Sequence, residues 1–141
     1  MPFVLDASVT LAWCLSEASS PAADAALDRL RADFALVPSG WHDEVANGFL
    51  VAERRNRITA VGTAAQLARL RALDVRVVAS SDASWGQALG LARAHGLTAY
   101  DAAYLALAVR ERAPLATLDD DLRDAARRVG VALVIRAAGC D

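Results

Sequence analysis

The sequence predicts an α/β protein in which a parallel β-sheet is flanked by helices. Short apolar runs alternate with longer segments of helical periodicity, as is typical of strand–helix–strand units. Pro21, Pro38 and Pro114 fall at the junctions, where a missing amide hydrogen costs little. With 141 residues, 55% of them hydrophobic, the chain can bury one core. We therefore expect one domain over residues 1–136 and a short tail at 137–141.

Five strands are predicted, each bounded by charged or turn-forming residues, at 3–5, 34–37, 75–78, 115–117 and 133–135. The segments of helical periodicity predict helices at 8–15, 21–32, 40–55, 59–73, 83–95, 99–111 and 120–129. In a parallel sheet the carboxyl ends of the strands form one edge, where functional side chains collect.

The charged residues narrow the possible activities. All 15 basic residues are arginine, so the sequence excludes P-loop phosphate binding and Schiff-base chemistry, which both need a lysine amine. The net charge of −2 is unusual for a nucleic-acid-binding protein, because phosphate binding usually leaves a basic footprint. If four of the 17 acids bind cations, however, the remaining surface is slightly positive.

The sequence predicts a soluble cytoplasmic protein. Its longest stretches without charge, 7–16 and 58–68, are too short to cross a bilayer, and no basic region precedes an apolar one at the N-terminus. Cys14 and Cys140 have no metal-ligand spacing and form no disulfide framework. The apolar segment 11–15 is a candidate association surface, and core packing of Trp13 is the alternative.

Four acidic residues fall at positions where this fold places functional groups. Asp6 follows the first strand, Asp119 follows the fourth, Asp101 opens a helix and Glu44 lies near the start of another. Taken singly, each is also explained as a residue that stabilises a helix N-terminus.

The joint pattern favours a binding site over four separate helix caps. Ser8 and Thr98 can cap their helices without an ionised partner, so Asp6 and Asp101 are not needed for capping. Glu44 lies on an apolar helix face, where a carboxylate is costly unless it is paired or bound to a metal.

Four carboxylates at one point predict a site for a hard divalent cation, because without one their repulsion would raise their pKa values or separate the loops. Mg²⁺ or Mn²⁺ prefers oxygen ligands, retains coordinated water and can reach substrate phosphates. Such a site suits the hydrolysis of a phosphodiester by a metal-activated water. His42 and His95 are expected on helix surfaces, with His42 close enough to Glu44 to contact substrate.

Four short motifs resemble those of PIN domains, and most closely those of the VapC toxins of bacterial toxin–antitoxin pairs. The motifs are Phe3-Val4-Leu5-Asp6-Ala7-Ser8, Glu44-Val45-Ala46-Asn47, Leu97-Thr98-Ala99-Tyr100-Asp101-Ala102 and Thr117-Leu118-Asp119. They follow the family's order and span nearly the whole chain. The resemblance implies a three-layer sandwich with a five-stranded parallel sheet in the order 3-2-1-4-5. It also implies Mg²⁺- or Mn²⁺-dependent endoribonuclease activity, commonly on structured RNAs such as transfer or ribosomal RNA.

The resemblance also implies roles for individual residues. The metal-binding catalytic acids would be Asp6, Glu44, Asp101 and Asp119. The run Asp119-Asp120-Asp121 exceeds the family pattern, and Asp121 ranks as the next candidate ligand, ahead of Asp120 and Asp124. Four polar residues would orient ligands or water through hydrogen bonds, namely Ser8, Asn47, Thr98 and Thr117.

The partners implied by the resemblance are a second copy of the chain and a small antitoxin that covers the acidic groove. The best candidate for RNA binding is the basic run at the end of the Glu44 helix, formed by Arg54, Arg55 and Arg57. Its alternative role is a favourable interaction with the helix C-terminus together with solubility.

Three other functions share single features of this sequence. Phosphatases and dehalogenases also place a nucleophilic aspartate after the first strand, but they want a second acid two residues on, where this chain has Ser8. A receiver-type phospho-acceptor domain needs a lysine and paired N-terminal acids. A PIN-like RNA-binding or assembly subunit without catalysis is the non-enzyme alternative.

Overall fold

A computed structural model of the protein describes residues 1–15 and 20–135. The strands within these ranges are β1 (Phe3–Leu5), β2 (Ala35–Pro38), β3 (Val75–Val78) and β4 (Leu115–Ala116). The helices are α1 (Ala7–Leu15), α2 (Pro21–Arg29), α3 (Trp41–Arg54), α4 (Ala60–Arg71), α5 (Asp82–His95), α6 (Ala99–Glu111) and α7 (Asp120–Arg128). The predicted tail at 137–141, with Cys140, lies outside the described residues.

The strands form one parallel sheet in the order β3-β2-β1-β4, which confirms the predicted α/β class and strand order. The predicted fifth strand needs correction. Residues 133–135 contribute a single parallel bridge, Leu133 to Leu115, so the sheet of the described residues has four strands. The neighbouring strand β4 is only two residues long before the chain turns towards α7. It is therefore too short for residues 133–135 to form more backbone pairs with it.

Helices cover the sheet, and the central strand β1 lies deepest in the core. All three β1 residues are completely buried, which requires cover on both faces because successive strand side chains point in opposite directions. Helix α6 packs against β1, β2 and β4, while α1 packs against α2 and α3. No helix of the described residues is long and apolar enough to span a membrane.

Helix boundaries follow local capping chemistry. Thr59 accepts a hydrogen bond from Gly62 N at the start of α4, and Ser81 forms a reciprocal capping box with Ser84 at the start of α5. Helix α5 ends at Gly96, whose φ of +65° suits a residue without a Cβ.

The apolar segment 11–15 packs against the protein's own core. Trp13 Nε1 donates a hydrogen bond of 2.7 Å to the carbonyl oxygen of Ala23 in α2. Both the ring and its polar atom therefore find partners within the chain, which favours the core-packing alternative for Trp13. Cys14 is half-buried in the same segment.

Candidate active site

Asp6 stands where β1 ends, at the carboxyl edge of the sheet, and its residue is only 4% exposed. Ser8 Oγ donates to Asp6 Oδ2 at 2.6 Å, and Thr117 Oγ1 donates to the same oxygen at 2.7 Å. Burial raises the pKa of Asp6, the two hydroxyl donors lower it, and the nearby charge of Asp119 raises it again. The side chain is therefore oriented by two neutral groups.

The hydroxyls of Ser8 and Thr117 also tie the end of β1 to the loop that follows β4. Ser8 Oγ accepts a hydrogen bond from Leu118 N at 3.0 Å, and Thr117 Oγ1 accepts one from Asp119 N at 3.1 Å. The same loop is held from the other side by Arg123, whose Nε donates to the Thr117 carbonyl oxygen at 2.9 Å. The geometry gives Ser8 and Thr117 the orienting position that the sequence predicts for them.

Asp119 caps α7, as one of its two sequence interpretations predicts. Its Oδ1 accepts a hydrogen bond from Leu122 N at 2.9 Å. The same carboxylate raises the pKa of both Asp6 and Asp101 through its charge, so it also belongs to the acidic group. Asp121, in the first turn of α7, adds a smaller effect on the pKa of Asp101.

Glu44 approaches Asp6 from the first turn of α3. Burial raises the pKa of its carboxyl from 4.5 to about 7, and the charge of Asp6 adds to that rise. The hydroxyl of Tyr104 lowers the pKa of Glu44, and Asp101 raises it further. An exposed glutamate on a helix surface would show none of these interactions.

Asp101 lies in the first turn of α6, where Thr98 caps the helix. Thr98 Oγ1 accepts a hydrogen bond from Asp101 N at 3.1 Å, so the cap is made without the Asp101 carboxylate. Burial raises the pKa of Asp101, followed by the charges of Asp119 and Asp6. Thr98 therefore has the capping role proposed for it, and the aspartate side chain is directed towards the other acids.

The four acids come from separate parts of the chain and are linked electrostatically, because the charge of Asp119 raises the pKa values of Asp6 and Asp101, and the charges of Asp6 and Asp101 raise that of Glu44. They do not form a coordination geometry. Within residues 1–15 and 20–135, no three acidic, histidine or cysteine side chains are close enough together to hold a metal ion. The predicted convergence is therefore seen as an electrostatic cluster rather than as a formed ligand set.

Tyr104 belongs to this site, although the sequence analysis missed it. The residue is completely buried in α6, and burial followed by the charges of Glu44 and Asp6 raises the pKa of its hydroxyl. The hydroxyl has no hydrogen-bond partner of good geometry among the described residues. The spacing of Tyr104 in the sequence could have identified it, since a residue three positions after Asp101 lies on the same helix face as Asp101.

The remaining predicted residues follow Glu44 along α3 or lie just after the helix, and all are exposed. Asn47 is exposed on α3, and no hydrogen bond is seen for its side chain within the described part of the chain. The three predicted RNA-binding residues are exposed where α3 ends, namely Arg54, Arg55 and Arg57. Arg54 lies ten residues beyond Glu44, about 15 Å along the helix axis. These side chains can reach an extended ligand that also occupies the acidic site.

Residues 3–128 match the family model described as the PIN domain. The chain belongs to the PIN domain family. The family assignment agrees with the motifs and with the sheet order of this fold. No protein with curated annotation matches the sequence significantly.

Solved structures of several proteins share the fold of this PIN domain at low sequence identity. PAE2754 from Pyrobaculum aerophilum has 21% identity and a TM-score of 0.70, covering 95% of this chain and 84% of its own. VapC20 of Mycobacterium tuberculosis, described as a sarcin-ricin loop cleaving toxin, has 17% identity and a TM-score of 0.64, covering 95% and 99%. A toxin–antitoxin complex from Klebsiella pneumoniae has 16% identity and a TM-score of 0.54, covering 80% and 82%.

Proposed function

We propose that this PIN domain is a Mg²⁺- or Mn²⁺-dependent endoribonuclease that acts as the toxin of a toxin–antitoxin pair. The observation that carries the proposal is the grouping of Asp6, Glu44, Asp101 and Asp119, in which the charges of Asp6, Asp101 and Asp119 raise the pKa values of neighbouring acids. None of these acids takes part in a salt bridge within the described residues. Clustered carboxylates without a counter-charge are costly, and a divalent cation would relieve that cost.

The chemistry of these side chains fits such a cation, although in the described residues the carboxylates do not lie at coordination distance from a common point. The acids offer only oxygen ligands, which Mg²⁺ and Mn²⁺ prefer. The buried Tyr104 hydroxyl, which has no hydrogen bond of good geometry among the described residues, adds a polar atom beside the acidic cluster. A bound cation would activate a water and stabilise charge on a substrate phosphate.

The chain's own residues prepare the site in two ways. Ser8 and Thr117 fix the orientation of Asp6 before any ligand binds, because both hydroxyls bond its Oδ2. Near neutral pH, Glu44 of the metal-free protein still holds a proton for part of the time, since its pKa is about 7. Cation binding must release that proton from the carboxyl group.

An RNA substrate and an antitoxin partner are part of the same proposal. VapC20 is described as cleaving the sarcin-ricin loop, and the Klebsiella pneumoniae structure is a toxin–antitoxin complex. The exposed arginines at the end of α3 offer positive charge for a phosphate backbone. We extend the proposal to a homodimer and a cytoplasmic location on the same family grounds.

A second candidate function is an RNA-binding or assembly subunit that has no catalytic activity. It is favoured by one observation, namely that the described side chains form no coordination geometry. The two candidates differ in whether added Mn²⁺ produces cleavage.

The test is cleavage of structured RNA by the purified protein in Mn²⁺, with a sarcin-ricin loop oligonucleotide and a transfer RNA as substrates. We expect Asp101→Asn to lower the cleavage rate by about a hundredfold or more, because the amide keeps the size but removes a charged ligand. Asp82→Asn is the matched control, since Asp82 is an exposed acid in the first turn of α5. Cleavage that survives both a chelator and Asp101→Asn would refute the metal-dependent mechanism.

The toxin role has a separate test. The reading frame beside the gene should encode a short protein that co-purifies with this chain and inhibits its cleavage of RNA. A solitary reading frame, combined with cleavage activity, would favour a PIN nuclease outside toxin–antitoxin pairs.

A further inference from the structure

The hydroxyl of Tyr104 is unusual because it is buried and yet has no hydrogen bond of good geometry among the described residues, although the Glu44 side chain and the Ala7 backbone lie close enough to act on its pKa. Removing a hydroxyl from water without a replacement hydrogen bond is costly, and buried polar atoms are normally satisfied. Phenylalanine would fill the same volume without that cost. The oxygen atom therefore calls for a role that packing alone does not supply.

The surroundings of the hydroxyl indicate that role. Among the charges that act on Tyr104, Glu44 has the largest effect and Asp6 the next. Tyr104 lies one helical turn after Asp101, on the same face of α6. The hydroxyl is thus directed into the acidic cluster from the core side.

Tyr104 is suited to donate a hydrogen bond to a carboxylate. Burial and the neighbouring carboxylates raise the pKa of its hydroxyl above the ordinary value of 10, so the phenol stays protonated at working pH. Its ring is fixed in the core, whereas the Glu44 side chain is partly exposed and retains rotational freedom. A small rotation of Glu44 would complete the bond without moving the backbone.

We propose that Tyr104 is a positioning residue whose hydroxyl donates a hydrogen bond to the Glu44 carboxylate and holds it in the cation-binding orientation. The inference rests on the proposed function, because it assigns Glu44 to the cation. Through this contact the buried phenol holds the partly exposed Glu44 carboxylate against the core.

The first experiment measures Mn²⁺ binding by calorimetry, which needs no RNA cleavage. Tyr104→Phe should weaken Mn²⁺ binding by about tenfold, the effect typical of removing a partner that orients a metal ligand. Its melting temperature in a chelator should stay close to that of the wild type, because phenylalanine fills the same volume in the core. A purely structural hydroxyl would leave the affinity for Mn²⁺ unchanged.

The matched control is Tyr100→Phe, which removes a hydroxyl from the same helix at a residue that is 71% exposed. It should leave the affinity for Mn²⁺ unchanged. The second experiment combines Tyr104→Phe with Glu44→Gln. If Tyr104 acts through Glu44, the double variant should bind Mn²⁺ no more weakly than Glu44→Gln alone.

The outcomes separate this inference from the proposed function. Wild-type protein that binds Mn²⁺ and cleaves RNA, with Tyr104→Phe equal to it in affinity, overturns the role of Tyr104 and leaves the nuclease intact. Fully additive losses in the double variant also overturn it, because Tyr104 would then act independently of Glu44. Wild-type protein that binds no Mn²⁺ overturns both.

Discussion

Replacing Glu44 with glutamine should stabilise the metal-free protein at pH 8 and have a much smaller effect at pH 5. In the folded protein the pKa of Glu44 is about 7, whereas an unfolded chain has a value near 4.5. The stability that this group contributes is therefore fully present below pH 4.5 and is lost as the pH rises to about 7. Glutamine does not titrate, so the free energy of unfolding of the variant does not fall in this way as the pH rises.

The size of the stabilisation expected for Glu44→Gln follows from the difference between the pKa values of Glu44 in the folded and unfolded protein. One pKa unit corresponds to about 1.4 kcal/mol, which sets an upper limit of roughly 3 kcal/mol for this shift. Solvent screens a partly exposed carboxyl, so the expected gain of Glu44→Gln at pH 8 is about 1 to 2 kcal/mol. In added Mn²⁺ the wild type should be more stable than Glu44→Gln, because only the wild type gains stability from the bound cation through Glu44.

The assay is urea unfolding of both proteins at pH 5 and pH 8, in a chelator and then in Mn²⁺. Asp43→Asn serves as the control, since Asp43 is an exposed acid beside Glu44 on the same helix turn. It should not change the pH dependence. If Glu44→Gln shows the same advantage at both pH values, or none, then Glu44 is not a buried acid within the cluster and the argument fails.

Three further predictions test the surroundings of the site. Thr117→Val should lower the free energy of unfolding by about 1 to 2 kcal/mol in urea, because it removes a hydroxyl donor to Asp6, and unchanged stability would contradict that hydrogen bond. Gly48→Ala should change the free energy of unfolding by less than about 1 kcal/mol, because the flexible Leu11 side chain can move away from the new Cβ and alanine favours the helix by about 1 kcal/mol, and a larger loss would show that Leu11 cannot move. Glutamine in place of the three exposed arginines of α3 should raise KM for RNA and flatten its salt dependence with kcat unchanged, and an unaltered salt slope would exclude them from binding. These arginines are Arg54, Arg55 and Arg57.

The features predicted correctly from sequence depend on short-range rules. Asp6 follows β1 directly and Asp119 closely follows β4, so knowing the strands places both acids near the carboxyl edge of the sheet. Thr98 is found at the N-cap position that its sequence context predicts. Local patterns of this kind also fixed the helices closely, although α2 ends at Arg29, earlier than the predicted residue 32.

The features that sequence reasoning missed depend on packing between distant residues. The apolar run at 133–135 looks like a strand, but its pairing is limited by the length of β4. Tyr104 and Arg123 look like a core aromatic and a surface cation, and only the folded chain shows one facing Glu44 and the other bonding the Thr117 carbonyl. Whether carboxylates reach coordination distance depends on side-chain rotamers, which no spacing rule determines.

Asp6 is hydrogen-bonded by neutral hydroxyls rather than paired with an arginine, and the need for negative charge at the site explains this choice of partner. An arginine beside Asp6 would offset the cost of burial, but it would also neutralise the charge that a cation needs. Ser8 and Thr117 instead donate neutral hydrogen bonds to one carboxylate oxygen, which orients the side chain and leaves its negative charge in place. Ser8→Arg should therefore abolish Mn²⁺ binding, measured by calorimetry, because a guanidinium beside Asp6 would neutralise the charge that the cation needs. A Ser8→Arg variant that still bound Mn²⁺ normally would show that the charge of Asp6 is not part of the cation site.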